Sequence, residues 1–203
     1  MGHAVVYFVD DDEAVRDSLE LLAQAAGFQA QSFSSAEEFL AAFDPDRPSC
    51  LVVDLRMPGM SGLELQRRLN ESGVELPLIM LSGHADVDSA VSAMKAGAVE
   101  FLQKPVHNEV LLARIRSAIE QNTELRRRRA EQRAISDRVA TLTAREREVM
   151  LLLIDGLSGK QVAARLGISY RTMEKFRANV MKKMETDSLA QLTRAAIEAH
   201  VVD

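Results

Sequence analysis

The amino-acid sequence predicts an α/β domain with a five-stranded, doubly wound parallel sheet, followed by a small all-α domain of four helices. The sheet is predicted because short apolar, β-branched runs alternate with helical patterns through the first half of the chain. The second domain is predicted because only helical patterns follow residue 142. With 203 residues, 47% of them hydrophobic, the chain is long enough for two small domains.

The predicted strands are short and end at turn residues. They are residues 5–9, 28–33, 51–54, 78–81 and 99–102. Two helix starts between the strands match the capping-box pattern, at Ser35-x-x-Glu38 and Ser61-x-x-Glu64. The fifth helix is predicted to begin near Asn108, and no stop signal follows it.

A helical linker is predicted to continue the fifth helix. Residues 121–140 are rich in Arg, Glu and Gln and contain no Gly or Pro, which favours helix over a flexible tether. The four arginines at 126–129 suit phosphate binding, but a solvated helical face is the favoured interpretation. The predicted organisation is therefore a domain at 1–120, the linker at 121–140 and a domain at 141–203.

Four helices are predicted in the last domain. Their ranges are 144–155, 159–166, 170–184 and 189–199, and their predicted N-caps are Thr143, Ser158, Ser169 and Ser188. Capping boxes are predicted at Thr143-x-x-Glu146 and Ser188-x-x-Gln191. The second and third helices, joined by a short turn after Gly167, fit a helix-turn-helix, whose second helix lies in the DNA major groove.

The net charge of −5 is divided unevenly along the chain. Residues 1–120 carry 9 Lys and Arg against 19 Asp and Glu, a net charge of −10. Residues 121–203 carry 16 against 11, a net charge of +5. An acidic half joined to a basic half indicates cations as partners of the first and polyanions as partners of the second.

The sequence indicates a cytoplasmic protein. The single cysteine, Cys50, has no partner for a disulfide within the chain and lies in an apolar run, as expected in a reducing compartment. No apolar run approaches the roughly 20 residues of a membrane helix, and no signal-peptide pattern is present, so no membrane partner is expected.

Acidic side chains end two of the predicted strands. Asp10 and Asp11 follow the first strand, and Asp54 ends the third. In a doubly wound sheet these strands are neighbours, so the three carboxylates are expected to share one crevice. Such a cluster requires a cation, and its hard oxygen ligands favour Mg²⁺ over a softer metal. Asp54 is a candidate metal ligand or nucleophile.

Ser82 and Lys104 follow the other two strands that reach this crevice. A hydroxyl and an ammonium beside a metal-bound carboxylate form a receptacle for a phosphoryl group. In-line transfer to Asp54 gives an acyl phosphate, with Lys104 offsetting charge on its oxygens. A strand-end Asp alone is often a turn cap, and a Lys-Pro pair is often a loop, so the prediction depends on the whole set.

The first 120 residues resemble the receiver domain of two-component response regulators, which has a flavodoxin-like fold. The matching motifs are Val-Asp10-Asp11-Asp, Asp54-Leu-Arg-Met-Pro-Gly-Met-Ser-Gly, Leu-Ser82-Gly and Lys104-Pro. The resemblance implies that Asp54 accepts a phosphoryl group from the phosphohistidine of a sensor histidine kinase.

The resemblance also implies the roles of the surrounding residues. Mg²⁺ would be held by Asp10, Asp11, Asp54 and the backbone carbonyl of Arg56. Ser82 and Lys104 would contact the phosphoryl group. Phe101 takes the position of the family's switch aromatic and, lacking a hydroxyl, would turn inward by packing alone. Plain core packing is the competing interpretation of Phe101. Arg56 and His84 are further predicted to gate water reaching the acyl phosphate, although for His84 a bystander role is favoured.

The predicted third helix of the last domain has two unlike faces. Met173, Phe176, Val180 and Met184 form an apolar stripe, which predicts the core. The opposite side carries Arg171, Glu174, Lys175, Ala178 and Lys182. Cations near the helix start suit contact with DNA, although a solvated helix would also carry charges.

Residues 142–184 resemble the LuxR-type DNA-binding domain. The matching segments are Leu142 to Val149, Gly156 to Ala163, Leu-Gly-Ile-Ser169 and Thr172 to Met184. Both halves together resemble the FixJ/NarL group of transcriptional regulators, with the long linker and the Arg-Ala-Asn-Val-Met segment nearer FixJ.

This second resemblance implies a set of DNA contacts. Lys160, Thr172, Arg177 and Lys182 are the implied phosphate contacts, and Glu174, Lys175 and Ala178 face base edges, with Arg171 beside them. A cytosine amino group is a suitable donor to Glu174. The chain departs from the family at Gly159, where Asn is common, and at Phe176, where His is common.

The predicted function is that of a response regulator. Phosphorylation of Asp54 would promote a homodimer that binds promoter DNA and acts on transcription with RNA polymerase, and the chain would not be a turnover enzyme. One alternative is an Mg²⁺-dependent phosphatase or phosphotransferase. This chain, however, lacks a second acid/base carboxylate two residues after Asp54, where Arg56 stands. Another is an adaptor whose helix-turn-helix binds protein.

Overall fold

The computed structural model of the protein describes residues 4–83 and 87–198. Within these residues there are five strands and nine helices. The strands are β1 Val5–Val9, β2 Gln29–Phe33, β3 Ser49–Asp54, β4 Leu78–Ser82 and β5 Glu100–Gln103. The helices are α1 Glu13–Ala25, α2 Ala36–Ala42, α3 Gly62–Glu71, α4 Val87–Lys95, α5 Asn108–Ala140, α6 Ala144–Ile154, α7 Gly159–Leu166, α8 Tyr170–Met184 and α9 Leu189–Glu198.

The strands form one parallel sheet in the order β2-β1-β3-β4-β5. Successive residues of β1 point to opposite faces, so that Tyr7 joins the core covered by α2, α3 and α4, and Phe8 joins the core covered by α1 and α5. Every residue of β1 and β3 is buried, as expected for central strands with helices on both faces. The predicted doubly wound sheet is confirmed.

The chain divides into two compact units, Met1–Arg126 and Arg127–Asp203. Helix α5 contributes to both cores. In the first unit Leu111 and Ile115 are fully buried, and in the second unit Ile135 and Val139 pack with residues of α6, α8 and α9. The segment 121–140 is helical throughout, and its last two turns belong to the core of the second unit.

Helix α8 packs as the sequence predicted, on the second unit's core. Met173, Val180 and Met184 are buried, and Phe176 is partly buried against them. The predicted N-caps Thr143, Ser158 and Ser169 are confirmed, because each side chain accepts a hydrogen bond from the backbone N–H three residues later.

Two of the predicted capping boxes are wrong. Glu38 accepts hydrogen bonds from the backbone and hydroxyl of Ser34, and Gln191 accepts one from the backbone of Asp187, so neither returns to its N-cap residue. A complete capping box that the sequence analysis did not predict joins Ser158 and Gln161. None of the described helices is long and apolar enough to cross a membrane.

Candidate functional site

Asp10 and Asp54 lie side by side at the carboxyl edge of the sheet. Strand β1 pairs in parallel with β3, with Val9 opposite Val53, so the residues that follow this pair emerge together. Both side chains are largely buried, since Asp10 is 2% and Asp54 is 7% exposed. The sheet therefore brings two of the three predicted carboxylates into one crevice.

Lys104 links these two carboxylates. Its Nζ lies 2.5 Å from Oδ2 of Asp10 and 2.5 Å from Oδ1 of Asp54. The backbone N–H of Lys104 donates to the carbonyl of Ser82 at 2.8 Å, which fixes Lys104 beside the end of β4. One ammonium thus neutralises much of the charge of two neighbouring carboxylates.

The pKa values in this cluster reflect burial and charge pairing. Burial raises the pKa of Asp10 above its ordinary value, an effect that the hydrogen bond from Lys104 reduces without cancelling. Burial acts to lower the pKa of Lys104, but the hydrogen bonds that it donates to Asp10 and Asp54 outweigh burial and raise it. Lys104 therefore stays charged at neutral pH.

Backbone groups hold both carboxylates in place. The N–H of Arg56 donates to Oδ2 of Asp54 at 2.6 Å, and the N–H of Asp12 donates to Oδ1 of Asp10 at 3.1 Å. Arg16 donates to the carbonyls of Asp10 and Asp11, at 2.8 and 3.0 Å. This role of Arg16 could not be predicted from the sequence, because no spacing pattern connects a helix residue to the loop that precedes the helix.

Gly62 supports the same site through its lack of a side chain. A Cβ atom at this position would lie 2.4 Å from the carbonyl oxygen of Asp54 and 2.8 Å from Sδ of Met80. Helix α3 therefore begins directly against the end of β3. The sequence analysis also missed this residue, although its place beside the predicted N-cap Ser61 is a signal that points to it.

The other predicted residues of the receiver site differ in exposure. Ser82 is buried at the end of β4, next to the cluster, whereas Asp11 and Arg56 are exposed. Phe101 is half-buried on the edge strand β5 and packs against the core on the α3 and α4 side. His84 lies outside the described residues.

The donor set at this edge fits Mg²⁺. Among the residues that the structure describes, no three His, Cys, Asp or Glu side chains are grouped to hold a metal ion. Mg²⁺ in proteins, however, is typically held by one or two carboxylates, with waters and phosphate oxygens completing its shell. Asp10 and Asp54, which both contact Lys104, place two such carboxylates at this edge.

The second unit presents exposed cations on helices α7 and α8. Helices α7 and α8 are joined through Gly167, which has a left-handed conformation with φ 64°. Among the predicted DNA contacts, those with exposed side chains are Lys160, Arg171, Thr172, Lys175, Ala178 and Lys182. Of these, Arg171, Lys175, Ala178 and Lys182 lie on the side of α8 opposite its buried stripe.

Glu174 and Arg177 are less exposed than the other predicted DNA contacts. Oε1 of Glu174 is buried without a hydrogen-bond partner in the described part of the chain, and it lies 3.7 Å from a terminal nitrogen of Arg177. The Glu174 side chain as a whole remains 40% exposed. It therefore lies at the border between the surface of α8 and the contact of α8 with α7.

Two family models match the chain. A response regulator receiver domain matches residues 6–116, and the luxR family of bacterial regulatory proteins matches residues 140–196. The transcriptional regulatory protein FixJ of Bradyrhizobium diazoefficiens is 45% identical over 202 residues, which cover 100% of this chain and 98% of that protein. FixJ of Rhizobium meliloti is 45% identical and covers 97% of each chain.

Solved structures give the same result. The response regulator StyR is 40% identical, with a TM-score of 0.91 over 97% of this chain and 99% of that chain. Full-length FixJ from B. japonicum is 44% identical, with a TM-score of 0.58 over 98% of each chain. The chain therefore belongs to the two-component response regulators, in the FixJ-like group that joins a receiver domain to a LuxR-type DNA-binding domain.

Proposed function

We propose that Asp54 accepts a phosphoryl group from a sensor histidine kinase and that this modification promotes dimerisation and sequence-specific DNA binding. The observation that carries this proposal is the contact of Lys104 with both Asp54 and Asp10 at the carboxyl edge of the sheet. This edge is where open α/β sheets place their ligands. A nucleophile, a second carboxylate and a fixed cation together suit an incoming phosphoryl group.

In the proposed reaction, a carboxylate oxygen of Asp54 attacks the phosphorus atom of the kinase phosphohistidine. A P–O bond forms, the P–N bond breaks, and its electron pair returns to the imidazole nitrogen. Lys104 pairs with an oxygen of the transferred group, and the buried hydroxyl of Ser82 lies at the same edge to hydrogen-bond another. Mg²⁺, held by Asp10, Asp11, Asp54 and the carbonyl of Arg56, would supply further compensation of phosphoryl charge.

Dimerisation is supported by an apolar face of α4. Val87, Val91 and Met94 are 77%, 44% and 47% exposed, and their spacing places them on one side of the helix. A row of exposed apolar side chains is typical of a surface that associates. An acyl phosphate at Asp54 would carry about −1.5 to −2 charge in place of the single negative charge of the carboxylate, and its added oxygens would reorganise the surrounding loops, with Phe101 on β5 as the proposed switch.

DNA binding is supported by the exposed cations of α7 and α8. Lys160, Lys182, Thr172 and Arg177 are the proposed phosphate contacts. Glu174, Lys175 and Ala178 are the proposed contacts to base edges, and Arg171 is a further proposed DNA contact. Pairing two such domains would increase affinity for a promoter with two half-sites. In this proposal the protein acts in the cytoplasm and influences RNA polymerase at those promoters.

The test compares wild type with Asp54→Asn in the presence and absence of a small phosphodonor and Mg²⁺. Dimerisation is measured by sedimentation, and DNA binding by titration of labelled promoter duplexes. Wild type should gain in both, and Asp54→Asn in neither. Asp46→Asn, which alters an exposed carboxylate of the same unit, is the matched control and should respond like wild type. An equal response of Asp54→Asn would refute phosphate control and leave only DNA binding.

A further inference from the structure

We propose that Gly159 determines part of the DNA sequence preference of this protein, because it seats the carboxylate of Glu174 at the start of α7. This inference rests on the proposed function, since it requires α8 to contact DNA bases. Gly159 is not itself a DNA contact in this proposal. It is a positioning residue that acts through Glu174.

Helix α8 lies directly against Gly159. A Cβ atom at position 159 would lie 2.3 Å from Cε of Met173, 3.2 Å from Cε2 of Tyr170 and 3.3 Å from Oε1 of Glu174. All three atoms belong to the first half of α8. The backbone of Gly159 has no unusual conformation that would demand glycine, since its φ is not among the positive values. The closeness of α8, and not the backbone conformation, therefore limits the side chain at 159.

Oε1 of Glu174 borders the space that a side chain at 159 would enter, beside the methyl group of Met173 that occupies it. This oxygen is buried and has no hydrogen-bond partner among the described residues, and the nearest cationic nitrogen, on Arg177, is 3.7 Å away. A buried carboxylate oxygen without a donor is unfavourable. The side chain as a whole is 40% exposed, so a donor from outside can still reach it.

Glu174 differs chemically from the other proposed base contacts. An ionised carboxylate accepts hydrogen bonds only, whereas Lys175 only donates and Ala178 is apolar. In the major groove the amino groups of cytosine and adenine are the donors, and the remaining polar base atoms are acceptors that repel a carboxylate. Glu174 is thus the proposed residue that selects an amino-bearing base at one position of the half-site.

A side chain at 159 would push on this carboxylate, whereas none of the three atoms that its Cβ meets first belongs to a cation of α8. The cations supply affinity that does not depend on sequence, whereas the placement of Glu174 supplies discrimination. Substitution of Gly159 is therefore expected to change which base is preferred, with little change in salt dependence.

The test measures binding of the full-length protein, with phosphodonor and Mg²⁺, to duplexes that differ at single base pairs. Gly159→Ala should reduce the preference at one base pair of each half-site by about tenfold or more, with the salt slope unchanged. Glu174→Ala should abolish the preference at the same base pair. The double variant should behave like Glu174→Ala alone, because Gly159 acts only through Glu174.

Two further variants separate positioning from folding and from general affinity. Gly159→Ala combined with Met173→Val shortens the side chain that the new Cβ meets first, and it should fold while still losing the preference. Lys160→Gln, the next residue along α7, should weaken binding to all duplexes evenly and reduce the salt slope by about 1.

Several outcomes would overturn the inference. The first is a base-pair preference of Gly159→Ala equal to that of wild type. The second is a loss of affinity in Gly159→Ala that is spread evenly over all base pairs. The third is that Gly159→Ala changes the preference by the same amount whether residue 174 is Glu or Ala. Wild type that shows no preference among duplexes would instead count against the proposed function.

Discussion

Lys104 and Asp54 form an ion pair across the carboxyl edge of the sheet, with Nζ 2.5 Å from Oδ1, although they are 50 residues apart in the chain. The same ammonium contacts Asp10 at 2.5 Å. Because both carboxylates are largely buried, removal of this cation would leave two neighbouring negative charges poorly compensated. The ion pair therefore holds the proposed phosphoryl acceptor and its neighbour together in one site.

Substitution of Lys104 by Met is expected to slow phosphorylation of Asp54. The neutral side chain cannot pair with the incoming phosphoryl oxygens, and loss of such a donor typically lowers rates by roughly a hundredfold. The measurement is the rate of phosphoprotein formation from a small phosphodonor at fixed Mg²⁺. Lys104→Arg keeps the charge on a planar, wider group and should retain part of the rate. Lys95→Met, which removes an exposed cation of α4, is the control and should be phosphorylated at the wild-type rate. A wild-type rate in Lys104→Met would contradict the proposed role of Lys104.

Substitution of Gly62 by Ala is expected to destabilise the first unit. The added Cβ would lie 2.4 Å from the Asp54 carbonyl oxygen, so α3 or the end of β3 must move, at a cost of about 1–3 kcal/mol. Urea unfolding of the full-length protein measures this loss, and phosphorylation should slow in parallel because Asp54 is displaced. At Gly83 a new Cβ would meet no described atom within 4 Å, so Gly83→Ala is the matched control with near-wild-type stability. Equal stability of both variants would show that α3 and the end of β3 accommodate the added Cβ atom at position 62 without loss of stability.

The positions of these residues were predictable to different degrees. Asp54 and Asp10 could be placed in one crevice from the sequence, because each follows an apolar run and parallel strands end at one edge. The contact of Lys104 with both carboxylates could not be predicted, since it depends on the packing of the loop after β5. Gly62 was missed because close approach of a helix to a strand end leaves no periodic signal.

Contacts between distant segments were the least predictable part of the fold. Asn122 is 2% exposed, accepts from the N–H of Ser49 at 3.1 Å and donates to the carbonyl of Glu75 at 3.1 Å. In the sequence Asn122 is one polar residue in a polar segment, so nothing indicates that its side chain is buried against the start of β3. Helix capping was predictable only in part, since the side chain of Glu38 accepts a hydrogen bond from the backbone N–H of Ser34 and not from that of the N-cap residue Ser35.

The ion pair between Glu146 and Lys183 predicts a pH dependence of the second unit. The Lys183 ammonium, 2.6 Å away, together with hydrogen bonds from Thr143, lowers the pKa of Glu146 from 4.5 to about 2. Because the folded pKa is the lower one, this contribution is complete above about pH 4.5 and is lost as the pH falls from there to about 2.

The measurement is thermal unfolding of wild type and Glu146→Gln as a function of pH. At neutral pH the variant should be less stable by about 1–3 kcal/mol, because the charge on Glu146 that pairs with Lys183 is lost. The difference between the two proteins should shrink between pH 4.5 and 2, since wild type then loses the same charge. Glu148→Gln, an exposed carboxylate on the same helix, is the control and should show a small difference at every pH. A constant difference for Glu146→Gln would mean that the ion pair does not stabilise the unit.

Substitution of Lys182 by Gln is expected to weaken DNA binding evenly across sequences. Lys182 is exposed on the side of α8 opposite its buried stripe and is a proposed phosphate contact, so its loss should reduce the slope of log affinity against log salt by about 1. Arg194→Gln removes an equal charge from exposed α9, where it pairs with Glu198, and should leave the slope nearly unchanged. The two variants have the same net charge, so a difference between them reports the position of the cation and not the total charge. Equal slopes in both variants would place the DNA on another surface of the second unit.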